Sequence, residues 1–211
     1  FVFQQNLSEH DFQFSYFLMP LSLLAILIAS TVAMFEPNLK RLLAWSSVAQ
    51  IGYITLGASL ISVAGLTASL LHMFNHALAK GALFLVLACL GMSLSHLRIN
   101  NIAGIAKQMP WTMAAFVLAG LSLIGVPGTA GFISKWYLIT AALESGPWGP
   151  ALIAVIIISS LMAVVYIWRI VETAYFKPAD EQFADKQECV REAPLLLLLA
   201  TWIAVALNFY F

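Results

Sequence analysis

Long apolar stretches alternate with short polar ones along the whole chain. Six stretches carry almost no charge and approach or exceed the roughly 20 residues that an α-helix needs to cross a bilayer; they are 15–35, 42–61, 66–95, 110–142, 150–168 and 193–211. None shows the alternation with a period of two that is typical of barrel strands. Because lipid offers no partner to a free backbone N–H or C=O group, the pattern predicts membrane-spanning helices.

The composition supports this prediction. Hydrophobic residues make up 62% and charged residues 9% of the 211 residues, against about 45–50% and about 25% in soluble domains. We therefore predict an all-α, polytopic membrane helix bundle of about six transmembrane helices. The formal net charge is zero, so no broad positive field attracts nucleic acid. Cys89 lies in an apolar run and Cys189 in a charged one, which argues against a disulfide or metal cluster.

Loop charges predict the orientation of the bundle. Eight of the ten basic residues fall in three loops on one side, at 36–41, 96–108 and 169–192. The other side, formed by the N-terminal segment, the turn at Gly65 and the loop 143–149, has no Lys or Arg. The positive-inside rule places the basic loops in the cytoplasm and both termini on the outer face. The two remaining basic residues, Lys80 and Lys135, lie inside predicted spans.

The third predicted span carries titratable residues where lipid penalises them. His72, His76 and Lys80 recur at i, i+4 and i+8, so they form one stripe about 12 Å long on a helix. A charged lysine facing lipid costs at least about 2.5–3.5 kcal/mol, so the stripe should face other helices or a wet cavity. Histidine titrates near neutral pH, and lysine does so once removed from water. The stripe predicts a proton relay, with neutral histidines that merely tie helices together as the alternative.

A metal site is a weaker interpretation of the same stripe. The H-x3-H spacing of His72 and His76 is compatible with Zn²⁺ on one helix face, but no nearby Cys or acid supplies a third ligand. We therefore predict no metal. The sequence also lacks a phosphate-cradling loop, a nucleophile–base pair and any nicotinamide or flavin motif. For that reason we expect no cofactor and no catalytic chemistry of the chain's own.

The fourth predicted span contains a helix-breaking segment, GVPGTAGFISKW, at 125–136. Proline removes a backbone donor and glycines loosen a helix, so the span should be broken at four residues: Gly125, Pro127, Gly128 and Gly131. Irregular backbone at membrane depth is tolerated where protein or water covers it, and in transporters it often marks an ion pathway. Lys135 follows shortly after the break. The alternative is an ordinary proline kink with this lysine reaching towards the interface.

Further polar residues are candidates to line a hydrated path. Four lie in the second predicted span and one in the third: Ser46, Ser47, Gln50, Tyr53 and Asn75. Small and polar side chains are also routine contacts between membrane helices, and that interpretation stays open.

A family resemblance rests on three stretches: NLKRLLAWSSVAQIGY (38–53), LLHMFNHALAKGALFL (70–85) and MPWTMAAFVLAGLSLIGVPGTAGFISKWYL (109–138). They resemble the proton-translocating, antiporter-like membrane subunits of respiratory complex I, of membrane-bound hydrogenases and of Mrp-type cation/proton antiporters. The resemblance implies a bundle of about fourteen helices built from two inverted five-helix repeats, each with one broken helix. This chain is similar to the second repeat.

The resemblance also implies roles for particular residues. Lys135 matches the lysine of the second broken helix, at the outward end of the family's proton path. Lys80 and His76, with His72 beside them, match polar positions of the preceding helix. The glutamate and two lysines of the first repeat, which form the input half of that path, have no counterpart here. A longer protein or a partner chain must therefore supply them.

On this basis we expect four regions along the chain: an extramembrane segment 1–14, the second repeat 15–176, a cytoplasmic loop 177–192 and the start of a truncated C-terminal helix, 193–211. We expect proton translocation, through the lysine–histidine relay, by half of an antiporter-like subunit of a multisubunit complex such as an NADH:quinone oxidoreductase or a related translocase. Na⁺/H⁺ antiport by an Mrp-type complex and a non-transporting scaffold subunit are the alternatives. Expected partners are other membrane subunits, one of which supplies the first repeat, together with H⁺, Na⁺ in the antiport alternative, and lipid. The expected location is the plasma membrane of the cell, with an organellar inner membrane as the weaker alternative.

Overall fold

The computed structural model describes residues 9–178 and 191–210, so most of the segments 1–14 and 177–192, with Cys189, lie outside it. Within the described ranges the chain forms seven α-helices: α1 (Glu9–Phe35), α2 (Leu39–Ser59), α3 (Val63–Ser93), α4 (Pro110–Ile124), α5 (Ala130–Leu143), α6 (Gly149–Phe176) and α7 (Leu195–Tyr210). Short 3₁₀ turns connect some of them, at Ile99–Ile102, Ile105–Lys107 and Gly146–Trp148. The predicted all-α fold is confirmed.

Every predicted span coincides with a helix or with a pair of helices. Judged by length and composition over the described residues, α1, α3 and α6 can each cross a membrane. A fourth such unit joins α4 to the 3₁₀ turns before it, with a bend of 115°. Two shorter apolar helices, α5 and α7, and the more polar 21-residue α2 complete the bundle. The chain is therefore a multi-pass membrane helix bundle, as predicted.

Local capping determines where several helices begin. Asn38, Ser62 and Thr129 precede α2, α3 and α5, and their side-chain oxygens accept hydrogen bonds from backbone N–H groups two or three residues on. Each cap satisfies donors that the first helical turn leaves free. In α4 the first helical position is Pro110, which has no N–H group to satisfy.

The predicted break in the fourth span lies between α4 and α5. The chain leaves the helix at Gly125, with a φ of 89°, and passes through Gly128, with a φ of 91°. Both values lie in the left-handed region that glycine adopts without steric cost. Pro127 sits in the non-helical connection and not inside a helix. The break is therefore a non-helical connection, residues 125–129, between two separate helices and not a kink inside one continuous helix.

The two halves of the broken span pack against the two longest helices of the bundle. α3 packs against α2, α4, α5 and α7, while α6 packs against α1, α4 and α5. Within the connection Thr129 is buried, but Pro127 and Gly128 are exposed on the surface of this chain. The ends of the break are therefore covered by neighbouring helices, and its middle is not.

The two halves of the broken span make direct backbone contact at Gly131. A Cβ atom built on Gly131 would lie 1.8 Å from the carbonyl oxygen of Ser122, which is far inside the van der Waals distance. A methyl group at this position therefore cannot fit unless α4 and α5 move apart.

Gly131→Ala should lower the stability of the protein by about 1–3 kcal/mol or more, because overpacking forces the backbone to shift. Gly81→Ala is the matched control, since a Cβ on Gly81 of α3 meets no atom within 4 Å. Thermal unfolding of the full-length protein in detergent or nanodiscs measures both variants. Equal melting temperatures for the two would contradict the close crossing of α4 and α5.

Candidate functional site

Lys80 points from the middle of α3 towards α2. Its Nζ donates hydrogen bonds to the carbonyl oxygen of Leu43, at 2.8 Å, and to the hydroxyl of Ser46. The side chain is only 5% exposed. The ammonium therefore faces another helix and not lipid, as the cost of a lipid-facing charge requires.

His72 joins three helices through its two ring nitrogens. Nε2 lies 2.9 Å from Oε1 of Gln50 on α2, and Nδ1 lies 2.9 Å from the hydroxyl of Ser134 on α5. In a neutral ring one nitrogen donates and the other accepts. If the Gln50 oxygen accepts, Nε2 carries the hydrogen and Nδ1 accepts from the Ser134 hydroxyl, which then gives up its alternative acceptor, the carbonyl oxygen of Gly131. His72 is buried and thus links α2 to the second half of the broken span.

His76 lies one turn further along α3 and is half-buried. Its Nδ1 atom is buried and has no hydrogen-bond partner among the described residues. A small cavity, with about 10 Å³ open to the centre of a water molecule, is lined by His76 together with His72, Ser122 and Ser134, and most of its wall is apolar. That volume is roughly the room that one water molecule needs. His76 therefore borders a space about the size of a single water molecule.

Lys135 reaches back from α5 to the end of α4. Its Nζ donates to the carbonyl oxygens of Leu123 and Ile124, at 3.1 and 2.8 Å, and to the hydroxyl of Ser160 on α6, at 3.0 Å. These carbonyls belong to the last turn of α4, where a helix has no backbone partners for them and its dipole attracts a cation. Lys135 is 5% exposed, so it turns into the bundle and not towards the interface.

The remaining path-lining candidates have different surroundings. Tyr53 donates to the carbonyl oxygen of Ile156 at 3.3 Å, and its ring lies 5.3 Å from both the His72 ring centre and the Lys135 ammonium. Asn75 donates to the carbonyl oxygen of Ala130 at 2.7 Å and so fixes the start of α5. Ser47 is only partly buried and bonds within its own helix, to Leu43. Tyr53 therefore borders the lysine–histidine row, and Ser47 does not touch it.

The row of His72, His76, Lys80 and Lys135 is not a continuous chain of hydrogen bonds. Among the described residues no hydrogen bond joins Lys80 to His76, or His72 to Lys135, and no carboxylate lies within salt-bridge distance of either lysine. The same residues contain no group of three or more His, Cys, Asp or Glu side chains that gather around a metal position. Any proton passing along the row must therefore cross short gaps through water.

Three serines of this site did not stand out in the sequence. Ser122 lines the cavity. Ser134 bonds to His72, and Ser160 bonds to Lys135. Ser134 directly precedes Lys135, which is the one sequence signal that could have drawn attention to it. Serines are common in membrane helices, so the other two carried no distinguishing pattern.

Comparison with known proteins identifies the family. The family described as NADH:quinone oxidoreductase/Mrp antiporter, TM, matches residues 2–163, which is more than half of the chain. The chain belongs to this family. It is also 47% identical over 152 residues to NADH-quinone oxidoreductase subunit N of Desulforudis audaxviator, covering 72% of this chain and 30% of that protein. The chain thus spans about a third of the length of the curated relatives it matches.

Solved structures share the fold. A chain of the membrane-bound sulfane sulfur reductase (MBS), an archaeal respiratory membrane complex, superimposes with a TM-score of 0.84 at 32% identity, over 92% of this chain and 31% of that one. A chain of the Mrp complex from Dietzia sp. DQ12-45-1b gives a TM-score of 0.82 at 24% identity, over 92% of this chain and 43% of the other. The second likeness, at that identity, concerns the fold alone. The resemblance to antiporter-like subunits is thereby confirmed.

If Lys80 takes part in proton transfer, Ser46→Ala should slow that transfer by about tenfold or more, because the hydroxyl is one of two acceptors for the Lys80 ammonium and hydrogen bonds to charged groups contribute about 1.5–3 kcal/mol. Ser47→Ala is the matched control. Ser47 bonds to the same Leu43 carbonyl but makes no contact with Lys80, so its loss should change the rate by no more than about twofold. Proton flux into vesicles containing the full-length complex measures both, and equal rates would contradict a role for Ser46.

Proposed function

We propose that this chain forms the outward half of a proton path in an antiporter-like membrane subunit, with Lys80 and Lys135 as the groups that exchange the proton. The observation that supports this most directly is the setting of Lys135. A buried ammonium lies at a helix break and is held by three neutral oxygen atoms. These oxygens stabilise a positive charge at the break. Among the described residues, no carboxylate lies close enough to form a salt bridge that would hold Lys135 in its charged form.

Neutral partners suit a lysine that must both bind and release a proton. When a lysine of a buried ion pair loses its proton, the remaining carboxylate becomes a buried unpaired charge, which costs several kcal/mol. Carbonyl and hydroxyl partners leave no such charge behind. Lys80 has partners of the same kind, a carbonyl and a hydroxyl of α2. Both lysines can therefore change protonation state without leaving an opposite charge stranded in the membrane interior.

The two histidines supply the connection between the lysines. His76 lies one helical turn from Lys80 and borders the small cavity, while His72 borders the same cavity and bonds to Ser134, the residue before Lys135. A water in the cavity would give His76 the partner that its Nδ1 atom lacks. On this proposal the proton moves between Lys80 and Lys135 through the histidines and water, across the break in the fourth span.

The proposed path is a half that needs a complement. The chain spans about a third of the length of its curated relatives, so the input half belongs to another part of the protein or to a partner chain. We propose that the chain works within a multisubunit plasma-membrane complex. The basic loops would face the cytoplasm and the termini of this segment the outer side. Protonation changes in neighbouring subunits would alter the electrostatic potential at Lys80 and Lys135 and so drive the proton from one lysine to the other.

Sodium/proton antiport is a second candidate function. It is favoured by the same three oxygen atoms around Lys135, because carbonyls and hydroxyls freed at a broken helix also coordinate Na⁺ in transporters. Proton flux in vesicles with and without Na⁺ separates the two candidates. A proton path alone predicts equal flux, while antiport predicts flux that requires sodium on the opposite side.

Lys135→Ala in the full-length protein should abolish proton pumping, because the outward end of the proposed path loses the titratable ammonium at the helix break. Lys40→Ala is the matched control, since Lys40 is an exposed lysine in the first turn of α2 and should be dispensable. Pumping is measured in vesicles that contain equal amounts of assembled complex.

Unchanged pumping by Lys135→Ala, at normal assembly, would reject the proposed function. It would favour a non-transporting scaffold subunit, for which charge-neutral replacements of His76, Lys80 and Lys135 are tolerated as long as the complex assembles. Loss of pumping in both Lys135→Ala and Lys40→Ala would also count against the assignment, because it would indicate a general sensitivity to lost charge.

A further inference from the structure

Asn208 of α7 bonds to a residue that lines the cavity beside His76. Asn208 is fully buried, and its Oδ1 atom lies 3.0 Å from the hydroxyl of Ser122 on α4. Ser122 is one of the residues that line the cavity beside His76. Asn208 lies beyond residues 2–163, the part of the chain that matches the family.

The hydrogen bonds of Asn208 fix the direction of the contact. Its amide nitrogen donates to the carbonyl oxygen of Ala204 at 2.8 Å, so the nitrogen and oxygen of the side chain are assigned by their partners. The amide oxygen then faces Ser122 and can only accept. Ser122 has a single hydroxyl hydrogen, and that hydrogen is used on Asn208. Towards the cavity, the Ser122 oxygen can therefore act only as an acceptor.

This direction matters for any water in the cavity. A water beside Ser122 must point one hydrogen at the serine oxygen, which leaves its other hydrogen and its lone pairs for the histidines. The unpartnered Nδ1 atom of His76 is one of the groups in reach of the cavity. If Ser122 were free to turn, its hydroxyl could donate into the cavity instead and compete for the same water and the same nitrogen.

We propose that Asn208 is a positioning residue for the proton path: by taking the hydroxyl hydrogen of Ser122, it sets the direction of the hydrogen bonds in the cavity between His72 and His76. The inference rests on the proposed function of the row. It gives α7 a role in proton transfer in addition to its packing against α3 and α4.

Several titratable groups surround the cavity. His72 and His76 of α3 line it, and Lys80 follows His76 by one turn of the same helix. The Tyr53 ring of α2 lies 5.3 Å from the His72 ring, and the Lys135 ammonium of α5 lies 5.3 Å from the Tyr53 ring. The described parts of α4 and α7 bring no charged side chain to the cavity. A change in the pH dependence of transport after substitution at Asn208 would therefore act through the histidines, their water or the lysine beside His76.

Asn208→Leu should lower proton flux by about tenfold and move the pH of half-maximal flux by about half a unit, because one hydrogen bond in the cavity changes direction. The double variant Asn208→Leu with Ser122→Ala should return the pH of half-maximal flux to the wild-type value, since no misdirected hydroxyl remains. Thr201→Val is the matched control. This isosteric change removes a buried hydroxyl of α7 that faces Cys89 of α3, away from the cavity, so neither quantity should change.

Flux is measured per assembled full-length complex in vesicles across a pH series, with Lys135→Ala in parallel. Identical profiles for Asn208→Leu, Ser122→Ala and the double variant would overturn the inference, because they would assign the bond to helix docking alone. A Thr201→Val profile that matches Asn208→Leu would overturn it as well. If Lys135→Ala abolishes flux while Asn208→Leu behaves as wild type, only the Asn208 inference fails. If Lys135→Ala transports normally, the proposed function fails and the inference falls with it.

Discussion

The structure depends on one constraint: inside a membrane every backbone N–H and C=O group needs a hydrogen-bond partner, and lipid offers none. The constraint is most demanding at the break in the fourth span, where α4 ends and its last carbonyls lose their backbone donors. Lys135 meets that demand with its ammonium, which binds two of these carbonyls and the hydroxyl of Ser160. The same side chain thus stabilises the break and places a titratable group there.

Helix positions could be predicted from the sequence because lipid imposes a simple length and polarity requirement. A charge-free stretch near 20 residues has few alternatives to a helix, and the glycine cluster around Pro127 has few alternatives to a break. The inward direction of the stripe on α3 could be predicted as well, because the free-energy cost of exposing the Lys80 ammonium to lipid is too high. These features depend on local sequence and solvent alone.

The partners of the site residues could not be predicted, because they depend on how helices pack. His72 bonds to Ser134, which is 62 positions away in the sequence, and Ser122 bonds to Asn208, 86 positions away. Nothing in the pattern of α2 separates Ser46, which contacts Lys80, from Ser47, which turns to its own helix. One step of 100° around the helix decides between them, and that step is set by the rotation of α2 against α3.

The double role of Lys135 links protonation to the geometry of the break. A charged lysine has three N–H donors, which match its three oxygen partners one to one. A neutral lysine has only two, so one of the three oxygens must lose its partner when a proton leaves. A buried acceptor without a partner costs about 1–3 kcal/mol unless water replaces the lost donor or the end of α4 moves. On the proposed function, proton release from Lys135 therefore favours hydration of the break, and hydration is what the gaps in the lysine–histidine row require.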